Sequence, residues 1–221
     1  MSTTEPISLD PTRTALVNVH WQRDIVTPDG AFAPFFAESV RRHGVIGTTR
    51  GLVETFRQAG ALVIWARAAF QPGYPELILN TGLNHAIADL GALIDGSPGA
   101  QIIPELAPGD GEPAVGHPGT SAFPNTALDA ILRRRQIDTV LFTGVATNVT
   151  VEGTARDAVN LGYNVILVSD ACAAATDESH EATLATFSLL GKVASAGDIQ
   201  RALQRHSDGQ DATLTESPAL A

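Results

Sequence analysis

Apolar and polar positions along this chain alternate between two kinds of block. Thr14-Ala-Leu-Val-Asn-Val19 and Ala61-Leu-Val-Ile-Trp-Ala66 are short, near-continuous apolar runs, the pattern of strands buried on both faces. Thr139 to Thr143 and Tyr163 to Ser169 repeat it, and Lys192 to Ala194 reads as a last short strand. Between these runs the spacing turns helical. Glu38 to Ala59 sets Val40, Ile46, Leu52, Val53 and Phe56 on one side and stops at Gly60, a residue suited to the left-handed turn that ends a helix. Asn125 to Gln136, capped by Asn125 or Thr126, reads as a helix, as does Glu178 to Leu190. Alternating strands and helices predict an α/β fold: a three-layer, single-domain structure with one parallel sheet and helices on both faces.

The stretch from Thr139 to Ala158 organises the rest. A strand is broken by Gly144, and from Asn148 the residues Val149, Val151, Ala155 and Ala158 take up helical spacing. Strand, tight turn and helix start in succession leave unpaired N–H groups aimed at one spot. In an open α/β sheet that spot lies at the carboxyl edge of the strands. Val145 to Thr150 is therefore the candidate floor of an active site. Phe70 to Ala114 is long and rich in Gly and Pro, and reads as an irregular segment covering that site. Residues 1–221 read as one domain with a core from about residue 12 to 206. The polar stretch 207–221 is expected to be disordered or an arm onto a neighbouring subunit.

Composition narrows the partners. A net charge of −10 argues against nucleic acid. No apolar stretch reaches membrane-spanning length, and the N-terminus carries no basic-then-apolar leader. With one cysteine, Cys172, there is no internal disulfide. A soluble, cytoplasmic protein acting on a small molecule is the expectation.

Thr143-Gly-Val-Ala-Thr-Asn-Val149, followed by Thr154-Ala-Arg-Asp-Ala158, resembles the signature of the isochorismatase-like (cysteine hydrolase) superfamily, and the resemblance runs from about Thr14 to Asp198. It implies a Rossmann-type sheet, hydrolysis of a small, cyclic or aromatic amide, ester or vinyl ether, no cofactor, and a homo-oligomer, dimer or tetramer. The family's triad is an Asp at the end of the first strand, a Lys before a Ser-Ala-Phe segment and a Cys at the helix start. By that alignment the three positions hold His20, His117 and Thr150, while Gln22, Asp24 and Ser121-Ala-Phe123 match. The resemblance also implies a cis bond at Val145–Ala146, with the N–H groups of Ala146 and Thr150 as oxyanion donors. Trp21, Gln22, Asp24, Phe36, Phe70, Tyr74, Phe123 and Thr147 are the expected substrate contacts.

Several chemistries stay open for such a site. Thr150 needs a base within hydrogen-bond reach to act as a nucleophile, and His20 or His117 is of the right type. The plainer role for Thr150 is a helix cap. A histidine acid–base scheme without a protein nucleophile is the second option, covering hydrolysis, proton transfer or decarboxylation. His20, His117 and Asp24 would make a metal set only on convergence, and no metal is expected. Cys172 reads as a buried thiol, and His43, His180 and His206 as solvated side chains. His85 falls in the covering segment. The rival from another class is a ligand-binding or scaffolding relative whose triad has decayed.

Overall fold

The computed structural model describes residues 7–215. Its six strands are β1 (Thr14–Val19), β2 (Leu62–Ala68), β3 (Ala114–His117), β4 (Thr139–Val145), β5 (Asn164–Ala173) and β6 (Lys192–Ala194). All pair in parallel, in the order β3-β2-β1-β4-β5-β6. Because β1 takes β2 on one side and β4 on the other, the winding reverses between β1 and β4. The carboxyl ends of those two strands open the crevice where such sheets bind ligands.

Helices cover both faces: α1 (Arg23–Val26), α2 (Ala33–His43), α3 (Val45–Gln58), α4 (Gly82–Leu90), α5 (Leu128–Arg134), α6 (Glu152–Asn160), α7 (Asp177–Phe187) and α8 (Ala196–Thr215). Strand side chains alternate between the faces. Leu16 of β1 joins Leu52 and Phe56 of α3 and Ile199 and Leu203 of α8. Its neighbours Ala15 and Val17 join Leu128 of α5, Ala155 of α6 and Phe187 of α7. Each fully buried Leu or Phe contributes about 2 kcal/mol. Exposed ion pairs such as Arg41–Glu38 contribute at most about 1 kcal/mol each. Apolar burial on the two sheet faces therefore dominates.

The sequence reading differs from this architecture in several places. The helix expected from Glu38 to Ala59 is two helices, α2 and α3, separated at Gly44, whose φ of 63° no helix interior allows. Val40 and Val45 still reach the same apolar cluster, so the periodicity carries across the break. α2 also begins earlier than Glu38, at Ala33. The covering segment is not wholly irregular, since it contains α4 and precedes β3. Thr126, rather than Asn125, accepts the Leu128 N–H at the start of α5. Residues 207–215 continue α8, whereas 1–6 and 216–221 lie outside the described residues. Among the described residues no helix is long and apolar enough to cross a membrane.

Two side chains after β1 tie the covering segment down. Gln22, fully buried, donates through Nε2 to the carbonyls of Ala68 (2.7 Å) and Ala100 (3.0 Å) and accepts the Ala68 N–H (2.8 Å). Asp24 accepts the Leu93 N–H (2.8 Å), and its own N–H donates to Gly99. A Cβ at Gly99 would overlap the Asp24 carboxylate, so only glycine lets the segment come this close. Replacing Gln22 by Leu leaves buried backbone groups unpaired, and we expect it to lower unfolding stability by about 3 kcal/mol. Urea denaturation checks this, and a loss below about 1 kcal/mol contradicts it.

Candidate active site

His20 follows β1 directly, with a φ of 60° and its N–H on the Ala66 carbonyl at 2.8 Å. His117 is the last residue of β3, in register with Ala68 of β2. The two imidazoles meet across β2, planes 13° apart and Nε2 to Nε2 at 3.1 Å. Behind them, His117 Nδ1 lies 3.0 Å from the Gly119 carbonyl. A carbonyl only accepts, so Nδ1 of His117 carries the proton and its Nε2 a lone pair. His20 must then donate from Nε2, which leaves its Nδ1 as the free lone pair. That nitrogen has no hydrogen-bond partner among the described residues, yet is not sealed from solvent.

Burial decides the charge of this pair. It pushes the His117 imidazole down to about 4, against a smaller upward pull from Gly119. Burial, and then the neighbouring His117, hold His20 well below the ordinary imidazole range. At neutral pH both rings are uncharged.

The floor comes from β4 and the turn after it. Gly144 has a φ of 140°, and a Cβ there would overlap the Val19 carbonyl, so glycine is required for β4 to close on β1. The Val145–Ala146 bond is cis, where the resemblance placed it. Thr147 to Val151 form a π-helical turn leading into α6, and Ala146 and Thr150 line the cavity above. The Ala146 N–H donates to no described residue. Thr150 is buried, and its hydroxyl makes neither a capping bond nor a bond to either histidine. The cap expected of Thr150 is therefore not formed, because the residue sits inside the π turn rather than at its start.

The cavity has an empty volume of about 590 Å³, which includes the open solvent at its mouth. Ile25, Phe32, Phe36, Phe70, Leu83, Ile87, Leu93 and Val149 make its walls largely apolar, and the polar groups are His20, Thr150, Thr120 and Asn84. His117 does not line it and stands behind His20.

Of the expected substrate contacts, Phe36 and Phe70 line the cavity. The others do not. Trp21 points into the core and donates to Thr143 Oγ1 (3.2 Å), which donates to Asn18 (2.8 Å). Gln22 and Asp24 bind backbone, as described above. Tyr74 packs behind Phe70 with its hydroxyl on the Ala92 carbonyl. Phe123 stacks on Tyr163. Thr147 turns away from the cavity to His180, 2.9 Å from Nδ1. His180 is thus half-buried rather than solvated, and His43 bonds Asp177 at 2.9 Å. His85 does not line the cavity.

Cys172 lies inside β5, opposite Gly144, where burial pushes its thiol up to about 12. Asp24 is committed to Leu93 and does not join the histidines. Among the described residues no three His, Cys, Asp or Glu side chains are grouped to hold a metal ion.

Missed by the sequence reading are the α4 residues Leu83, Asn84 and Ile87. Their signal was present: Thr81 caps the helix through the Asn84 N–H, and Gly91 ends it with a φ of 61°. Two punctuation residues ten positions apart marked an element in a stretch read as loop.

Comparison with known proteins bears on this geometry. The Isochorismatase domain family model matches residues 14–198. YwoC, an isochorismatase family protein of Bacillus subtilis (strain 168), is 35% identical over 193 residues, covering 84% of this chain and 92% of its own. The ureidoacrylate amidohydrolase RutB of Methylobacterium radiotolerans is 33% identical over 213 residues, covering 90% and 83%. A cysteine hydrolase from Pseudomonas syringae pv. phaseolicola 1448A matches in structure with a TM-score of 0.82 at 26% identity, covering 92% of this chain and 99% of that one.

The depressed histidines have a consequence for stability. Unfolded, each imidazole titrates near ~6.5, and folded His117 near 4. Stability is fully present above about pH 6.5 and is lost as pH falls, because only the unfolded chain takes up the proton. By pH 5 His117 alone removes on the order of 2 kcal/mol. Urea unfolding at pH 7.5 and 5 should show this drop, and a smaller one in His117→Gln. Equal drops in both proteins contradict the assignment.

Proposed function

This chain belongs to the isochorismatase family, and on that premise we propose that it hydrolyses a small amide with an apolar, ring-like body, using histidine acid–base chemistry on water. The observation that carries the reading is the neutral His20–His117 pair, with the free His20 nitrogen beside an open apolar cavity. On this reading His20, His117 and Thr150 stand where the family's Asp, Lys and Cys act. The single cysteine is in the core and lines no part of this cavity, so the attacking group is water.

The substrate carbonyl points its oxygen at the N–H groups of Ala146 and Thr150, which stabilise the charge that develops there. His20 Nδ1 takes a proton from water as the oxygen adds to the carbonyl carbon. The resulting imidazolium donates its Nε2–H to His117, whose orientation Gly119 fixes. His20 then returns the proton to the leaving nitrogen as the C–N bond breaks, giving acid and amine. Thr150 contributes its backbone N–H to the oxyanion side, a donor that a side-chain substitution leaves in place. With no base bonded to its hydroxyl, it is not the nucleophile. An open cavity also argues against a scaffolding relative whose pocket is filled by side chains. RutB, named as an amidohydrolase, makes amides the first class to try.

The test is ammonia or amine release from small amides and ureido compounds, with esters and enol ethers alongside. His20→Ala is expected to lose at least about 100-fold in kcat, whereas Thr150→Val stays within about tenfold of wild type. The acid limb of the rate profile should lie below the ordinary imidazole range, since burial and the neighbouring His117 hold His20 well below it. Equal collapse of Thr150→Val and His20→Ala would point to a threonine nucleophile. Turnover of esters or enol ethers without amides would overturn the substrate class.

A further inference from the structure

A second cavity lies on the other side of the catalytic turn, between α2, the end of β5 and α7, with an empty volume of about 940 Å³ including its mouth. Its polar groups are mostly acceptors. Asp170, Asp177 and Glu181 bring three carboxylates to it. Asp177 is occupied by Arg42 (2.6 Å) and His43 (2.9 Å). Asp170 spends one oxygen on the Ala196 N–H (2.7 Å). Glu181 makes no ion pair or hydrogen bond among the described residues. The floor is apolar, from Val45, Ala173, Ala174 and Leu184.

Ser39 supplies the independent observation. It is 6% exposed and lines this cavity. A serine inside a helix ordinarily bonds back to the carbonyl one turn earlier, but the Ser39 hydroxyl has no partner and is not sealed. A buried hydroxyl without a partner, opening into a space with uncommitted carboxylates, lacks a hydrogen-bond donor. That donor is cationic, since Asp170 and Glu181 both line the cavity and form no ion pair among the described residues. Among the described residues no three His, Cys, Asp or Glu side chains are grouped to hold a metal ion there.

We propose that this cavity binds a primary alkylammonium, its N–H donors on Ser39, Asp170 and Glu181 and its short alkyl body on the Ala173–Leu184 floor. The site reports to the catalytic turn through one bond, Thr147 Oγ1 to His180 Nδ1, because His180 lines this cavity and Thr147 belongs to the turn. Binding itself does not depend on the hydrolase reading.

The test titrates the protein with n-butylammonium chloride, with sodium butyrate and sodium chloride at the same ionic strength as controls, following backbone amide shifts. Saturable shifts at Ser39, Ala174 and His180 with butylammonium alone are the expected result. Glu181→Gln should weaken binding about tenfold and Ser39→Ala about threefold, with folding of both verified by thermal melts. Neither residue lies in the hydrolytic site, so folded variants that keep their hydrolysis but bind butylammonium as wild type does overturn the proposal. So does the absence of saturable shifts, including the case of a second copy of the chain filling the cavity. Equal shifts with sodium chloride also overturn it, since they report screening alone.

Discussion

Two imidazoles buried 3.1 Å apart cannot both be cations, and much of the site follows from that constraint. Charging either ring removes a hydration shell that the surrounding core cannot replace. The pair therefore stays neutral and shares one hydrogen bond, whose direction is set from outside by the Gly119 carbonyl. A backbone group in the loop after β3 thus fixes which nitrogen at the end of β1 is free. Sheet order makes this geometry available, since β2 alone separates the two strands and carries a small residue, Ala68, at the level of His117.

The rest of the crevice is arranged around that free nitrogen. Gly144 lets β4 close on β1 and brings the Val145–Thr150 turn under the cavity. Gln22 and Asp24 hold the 91–101 stretch against the first strand, which fixes Leu93 in the cavity wall. Thr147 faces the opposite way from Thr150 and joins the turn to α7 through His180. One short turn consequently lines an apolar cavity that holds His20 and reaches, through His180, a second cavity that carries carboxylates.

Much of this was legible in the chain. Strands buried on both faces must be near-continuously apolar, so β1, β2 and β4 stand out, and Gly60 and Gly144 mark real breaks. Resemblance to a family put His20 and His117 on the page, and the sheet brings them together. What could not be read is direction. His20 and Trp21 are neighbours, yet one faces the cavity and the other the Asn18–Thr143 network, a choice made by a single residue of register at the strand end. Gln22 and Asp24 look like ligand-binding groups because they are polar and near the site, but their partners are backbone groups some 46 to 78 positions away. Periodicity also ran through Gly44, since α2 and α3 bury the same face.

The most direct measurement is the protonation state of the two rings. Nitrogen-15 spectra of the histidine side chains, assigned with His20→Gln and His117→Gln and followed from pH 8 to 5, report tautomer and titration together. A proton on Nδ1 of His117 and on Nε2 of His20, with both rings charging only well below the ordinary imidazole range, is what a neutral proton-sharing pair requires. Either ring titrating near pH 6.5, or a proton on Nδ1 of His20, would contradict it.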